Sequence, residues 1–263
     1  MENNSKLAQY KETIRNLDLI KIQKSSDIPL ALQMAKEGNI SINYIPFDYV
    51  NTQAKIVLVG ITPGFTQLKN ALIEAQKQIK AGSDDLTILQ AAKKTGAFSG
   101  AMRPNLVGML DHLKVNELLG IQSCDALFGS ANHLVHTTSV LRHPVFLDGE
   151  NYNGTPNMTK NPLLLKFLTE YFAKEAATLK NAIFVPLGPK VSEALSWLVK
   201  QGLMNGANVL DGLPHPSGAN AERIAYFLGK KQASQLSIKT DPIKIDATTA
   251  ALFEKMKTIK KAA

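Results

Sequence analysis

Residues Ile56-Val57-Leu58-Val59 form an unbroken apolar run, mostly β-branched, that stops at Gly60. A strand with one wet face alternates polar and apolar residues. An uninterrupted run therefore reads as a strand buried on both faces, as in a parallel sheet. The turn Gly60-Ile61-Thr62-Pro63-Gly64 follows, and then Phe65, Leu68, Ala71, Leu72, Ala75 and Ile79 recur at helical spacing. Strand, glycine turn, helix is the opening unit of an α/β fold.

The pattern recurs downstream. Leu134 to Leu141 reads as a second strand, and a helix is predicted after Asn161-Pro162, with proline at its first position. Ala182 to Leu187 reads as a third strand, followed by a helix that opens at Gly188-Pro189 and carries Val191, Leu195 and Leu198. A short fourth strand at Val209-Leu210 leads through Pro214-His215-Pro216-Ser217 into a helix ending near Leu228. Upstream, Leu7, Tyr10, Ile14 and Leu17 mark one helix face, and a second helix is predicted from Ser26-Asp27 to Gly38. The aromatic stretch Ser41–Val50 is expected to be irregular and packed on the core. The chain thus reads as one domain, residues 1–263, with a helical extension over about residues 1–45. A basic helical tail is predicted over about residues 230–263, which hold 8 lysines against 3 acids.

Composition narrows the function. Lys and Arg total 30 against 22 acids, a formal charge of +8, which favours a polyanionic partner such as nucleic acid. The single cysteine, Cys124, excludes an internal disulfide and a four-cysteine metal site. No apolar run is long enough to span a membrane, and the first residues lack the apolar core of a signal peptide, so a cytoplasmic protein is expected. His133, His136 and His143 have no carboxylate at a familiar ligand spacing, so no metal is expected.

In an open α/β sheet, ligands sit beyond the carboxyl ends of the strands. Two loops fall there. Gly60–Gly64 lacks the spacing and lysine of a P-loop and reads either as a tight turn or as a ligand loop. In the other, Pro214 and Pro216 stiffen the backbone around His215, while Ser217 and Gly218 offer a hydroxyl and an amide suited to phosphate. The polar segment Arg142–Gly154 reads as a crossover loop or as the lining of an enlarged pocket.

Four segments in order resemble the uracil-DNA glycosylase superfamily. Val57-Leu58-Val59-Gly60-Ile61-Thr62-Pro63-Gly64 is similar to its first motif, a strand ending in Gly-x-[Asp/Asn/Ala]-Pro-[Gly/Tyr]. His215-Pro216-Ser217-Gly218-Ala219-Asn220 is similar to its late His-Pro-Ser loop. Between them, Thr137–Arg142 and Val185–Gly188 stand where the family has a base-reading strand and a strand ending in Leu-Gly. The likeness spans Lys55 to Leu228. It implies a three-layer α/β/α sandwich around a short, mainly parallel central sheet. It also implies cofactor-free hydrolysis of the bond between a flipped-out base and its sugar.

The resemblance assigns roles residue by residue. His215 would stabilise charge on the departing base, and Thr62 would hold the attacking water. Ile61, Ser139 and an aromatic, Phe98 or Phe65, would contact the base, either phenylalanine being equally readable as core. Ser217, Gly218, Asn220, Pro63 and Gly64 would grip the DNA backbone. Two positions depart from the family. Thr62 replaces the usual Asp or Asn, and Ser139, or Thr138 in a register shifted by one, replaces a pyrimidine-reading Asn. The expected substrate is therefore a modified or non-standard pyrimidine in duplex or single-stranded DNA, removed by a monomer in repair or in defence against modified phage DNA. Orthodox uracil excision and a catalytically silent DNA or damaged-base binder are the alternatives.

Overall fold

The computed structural model describes residues 6–96 and 102–262. By internal contacts the chain falls into two compact units. The first uses the described residues within Met1–Val50, Ile61–Ala97 and Ser139–Lys174; the second uses those within Asn51–Gly60, Phe98–Thr138 and Glu175–Ala263. The strands among the described residues are β1 (Gln33–Glu37), β2 (Ile40–Asn43), β3 (Ile56–Gly60), β4 (Val135–Ser139), β5 (Val145–Leu147), β6 (Glu150–Asn151) and β7 (Ile183–Pro186). The fold is mixed α/β, and no described helix is long and apolar enough to cross a membrane.

The second unit holds the sheet that the sequence predicts, in the order β4-β3-β7. β3 and β7 run parallel, with Ile56 opposite Ile183 and Leu58 opposite Val185. All of Ile56 to Val59 is buried, which explains why the run never alternates. The expected fourth strand is reduced to a single parallel bridge between Phe184 and Val209. Ile56, Leu58 and Val185 pack with Leu106 and Leu110 of helix Met102–His112, with Phe227 of helix Ala221–Phe227, and with Leu252 and Met256 of helix Pro242–Ala262. Each such buried side chain contributes roughly 1.5–3 kcal/mol. The basic tail is helical only from Pro242, the residues before it forming turns, and it closes the core through Leu252 and Met256.

The first unit corrects two expectations. Residues 26–38 do not form a helix: they make short 3-10 turns and then β1, which pairs antiparallel with β2. Gln33, Met34, Ala35, Lys36 and Glu37 are good helix formers, so strand pairing overrides local propensity here. Gly38, at φ +55°, opens the two-residue hairpin loop instead of capping a helix. The second correction concerns Arg142–Gly154, which is neither a solvated crossover nor a simple loop. It contains β5 and β6, and β5 adds to β2 to give the order β1-β2-β5-β6. Asp148 and Gly149 both have positive φ, 51° and 83°, as the loop of a type I′ hairpin requires. Residues 1–45 are therefore no helical extension. Beyond helix Leu7–Arg15 their described part is strand, turn and core.

Other expectations hold. Leu68, Ala71, Leu72, Ala75 and Ile79 of helix Phe65–Lys80 face the core of the first unit with Leu7, Tyr10 and Ile14. Tyr44, Ile45 and Phe47 are buried, so the aromatic stretch packs inward as expected, although Ser41 to Asn43 belong to β2 and only the rest is irregular. Asn161 caps helix Pro162–Phe167 by accepting the Leu164 amide at 3.0 Å. This unit also buries charge. Asp48 accepts the Tyr44 hydroxyl at 2.7 Å and lies 3.8 Å from Arg142, whose guanidinium donates to the Tyr171 carbonyl and sits over its ring.

Candidate functional site

A loop of the second unit with prolines on both sides, Pro214 and Pro216, carries His215. Asn105 of helix Met102–His112 donates to the Pro216 carbonyl at 2.9 Å and anchors the loop. The His215 ring lies against Gly188, just beyond the carboxyl end of β7, where a Cβ would come within 3.0 Å of its Cδ2. Gly188 also has φ +101°, a conformation that side chains other than glycine rarely adopt. A glycine is thus required twice at this position: for the backbone turn into helix Pro189–Lys200, and to seat the imidazole.

His215 is half-buried, and desolvation holds its pKa below the ordinary histidine value. It is neutral at pH 7. Its Nδ1 accepts the Ser217 amide at 3.2 Å, so the ring proton resides on Nε2. The result is a neutral N–H donor on a fixed mount.

A cleft of about 800 Å³ opens beside it, a volume typical of ligand sites. Its wall includes His215 and Asn220 and the cations Arg223, Lys239 and Lys244, with Asp211 and Asp241 among them. Ser217 Oγ accepts from Asn220 at 3.2 Å, and Asn220 accepts from Arg223 at 2.8 Å. A Cβ on Gly218 would meet nothing within 4 Å, so its backbone faces open space. Ser217, Gly218, Asn220 and His215 thus fall on one loop and the short 3-10 turn that follows it.

The first loop, in the first unit, is built for holding itself. Thr62 Oγ1 donates to the His143 carbonyl at 3.0 Å and accepts the Val145 amide at 3.1 Å. Its proton is committed, so Thr62 is a latch for the start of β5 and offers a water only a lone pair. Pro63 is buried, the Gly64 amide donates to Gln67 at 2.7 Å, and the Phe65 amide donates to Asn151 at 2.9 Å. Pro63 and Gly64 are therefore corrected as phosphate contacts: one is covered and the other has spent its donor. Ile61 accepts the Leu141 amide at 2.9 Å through its carbonyl, and Phe65 is half-buried against the core of its unit. Ser139 is half-buried at the end of β4. Thr138 is buried, and its hydroxyl has no hydrogen-bond partner among the described residues. Phe98 lies outside the described residues.

The three histidines considered as ligands have other surroundings. His136 Nδ1 accepts the Asn51 amide and Nε2 meets Glu175 at 2.6 Å, deep in the second unit. His143 meets the Tyr171 ring edge-on at 4.7 Å. Among the described residues no group of His, Cys, Asp or Glu has a metal-binding arrangement.

Two features of the cleft escape the sequence reading. Gly188 as the seat of His215 is signalled only by its place between strand and Pro189. Arg223 follows the His215 loop on helix Ala221–Phe227 and is legible as a nearby cation, whereas Lys239 and Lys244 reach the cleft from further along the chain.

No protein-family model matches the chain. No solved structure matches it either. It is 33% identical over 247 residues to the uncharacterized protein YoxB of Bacillus subtilis (strain 168), an alignment that covers 93% of this chain and 96% of YoxB. At that identity, over nearly the whole of both proteins, the two share one ancestry and one fold, and the chain belongs to the family of YoxB.

Proposed function

We propose that the protein is a cofactor-free DNA glycosylase of the uracil-DNA glycosylase type, acting on a modified or non-standard pyrimidine. The observation that carries this is the neutral, glycine-seated His215, with Nε2–H as donor, beside a cleft lined by Arg223, Lys239 and Lys244. In the reaction, water attacks the anomeric carbon of the sugar as the bond to the base nitrogen breaks. The bonding electrons leave with the base, and the water loses a proton to solvent. Negative charge grows on the base oxygen, where a fixed N–H donor in a partly desolvated site stabilises the transition state. Ser217 and the Gly218 amide hold phosphate, which helps to offset the few kcal/mol needed to unstack the base. The preference for a modified pyrimidine is carried by the sequence alone: Ser139 stands where the resembling family has a base-reading Asn, and it is smaller. The enzyme acts as a cytoplasmic monomer, in repair or against modified phage DNA.

A silent DNA binder is the second reading, and the Thr62 latch favours it, because the hydroxyl proton is given to the His143 carbonyl and a threonine is a poor base at neutral pH. Both readings require DNA at the cationic cleft. If Arg223, Lys239 and Lys244 each neutralise one phosphate, the log–log salt slope is about −3, and duplex affinity falls about 40-fold between 50 and 200 mM salt. A titration across that range checks this; affinity that stays flat contradicts both readings.

A further inference from the structure

The segment that delivers His215 has little hold on the sheet. Residues 206–213 run beside β7, where the described residues give one bridge, Phe184 to Val209, and the Leu210 amide on the Phe184 carbonyl at 2.8 Å. A fully paired strand is fixed by a ladder of such bonds. One bridge leaves Asp211, Gly212 and Leu213 to be placed by something else. Whatever position they take is passed on to His215, because Pro214 and Pro216 allow the loop little adjustment.

Helix Pro242–Ala262 supplies what the strand lacks. Thr248, Leu252 and Lys255 stand at i, i+4 and i+7 and so share one face of it. Leu252 is buried in the core. On one side of it the half-buried Lys255 donates to the Gly206 carbonyl at 2.7 Å, and Asp211 attracts the same ammonium. On the other side the Thr248 methyl lies so close to Gly212 that a Cβ there would come within 2.1 Å of it. Gly212 also has φ +115°, so the backbone and the close approach both demand glycine. Thr248 is itself held in one rotamer, since its hydroxyl donates to the Lys244 carbonyl at 2.8 Å and the methyl cannot swing away. The helix thus grips the segment at two points, about two turns apart. Thr248 and Gly212 stand in the wall of the same cleft as His215.

We infer that Thr248 is a positioning residue for His215: its methyl, braced by the Lys255 bond to Gly206, registers Gly212 and, through Leu213 and Pro214, sets where the imidazole stands against Gly188. The effect on catalysis rests on the reading of His215 as the donor to the departing base; the positioning does not. A displacement of about 1 Å at a reacting group can cost about 10²-fold in rate.

The test reads the imidazole directly, by NMR titration of the His215 ring in the full-length protein, with its signal assigned from His215→Ala. Burial of the ring depresses its pKa. Thr248→Ala removes the methyl and lets the segment drift, so the ring gains solvent and its midpoint should rise towards about 6.5, the ordinary value. Thr248→Val keeps a methyl in that place and should keep the wild-type midpoint. Thr249→Ala is the control: Thr249 bonds the Ile245 carbonyl in the same way, at 2.8 Å, but is no part of the cleft wall, and its loss should move nothing. If Thr248→Ala does not fold, Lys255→Met, which deletes the bond to Gly206 and keeps the stem, is read with the same expectation. In base release, Thr248→Ala should lower kcat roughly 10–10²-fold with KM little changed, and Thr248→Val should restore it. A His215 midpoint that stays at the wild-type value in Thr248→Ala, or that rises equally in Thr249→Ala, overturns the inference and leaves the glycosylase reading intact. If the wild type releases no base, that reading fails by itself, and the titration still decides the positioning.

Discussion

If His215 is the transition-state donor proposed above, His215→Ala should lower base release about 10²–10³-fold, the loss typical of one such donor. DNA affinity should change only a few-fold, because the proposed phosphate contacts lie on other residues. The fold survives, since the ring is half-buried and packs on glycine instead of filling the core. The pH profile carries a second signature. Desolvation lowers the His215 pKa, so the neutral donor persists below the ordinary histidine range. Base release should persist to lower pH than an ordinary histidine would allow and fall as the pH drops through the depressed value. Folding stability shifts the same way: the unfolded chain takes up the proton first, so the His215 contribution is present above the unfolded value and is lost as pH falls. An alanine variant with full activity would make His215 structural and remove the mechanism.

Arg142→Ala destabilises the protein by about 3–5 kcal/mol, the penalty for leaving a buried carboxylate without its cation. The side chains of Arg142 and Asp48 are 9% and 1% exposed, so solvent does little to screen them. Thermal unfolding should drop by roughly 6–20 °C, at about 2–4 °C per kcal/mol for a chain near this size. Burial raises the Asp48 pKa, against the opposing pull of the Tyr44 hydrogen bond and then of Arg142. The folded state therefore holds the Asp48 proton more tightly than the unfolded one. This contribution favours folding at low pH and is lost as pH rises through the raised value. The Arg142→Ala defect should accordingly shrink in acid, and Asp48→Asn in the same chain should recover part of it. An unchanged melting temperature at neutral pH would show that the pair holds nothing together.

What the sequence reveals follows from the range of the interactions. β3 is legible because a doubly buried strand needs no partner to be recognised: Ile56 to Val59 carry the signal alone. Helix Phe65–Lys80 and the Asn161 cap are legible because their periodicity and capping are local. β1 is not, since Gln33 to Glu37 prefer helix in isolation and become a strand only through pairing with Ile40 to Asn43. The β5–β6 hairpin had a local signal, Asp148-Gly149 after Val145-Phe146-Leu147, but the many polar residues around it masked it as loop. At the site, His215, Ser217 and Gly218 stand on one stiff loop and can be read directly. The saturation of Thr62 by His143 and Val145, some 80 residues downstream, cannot, because it depends on β5 joining the sheet of the first unit.

The most direct measurement is release of free base from DNA by the purified wild-type protein, without added metal or cofactor. The substrates are otherwise identical duplexes carrying uracil, a series of 5-substituted pyrimidines, or only the standard bases. The account predicts free base and a stoichiometric abasic site from at least one 5-substituted pyrimidine, faster than from uracil and absent from the standard duplex. No release from any substrate, with salt-dependent binding retained, would contradict the enzyme and leave the silent binder.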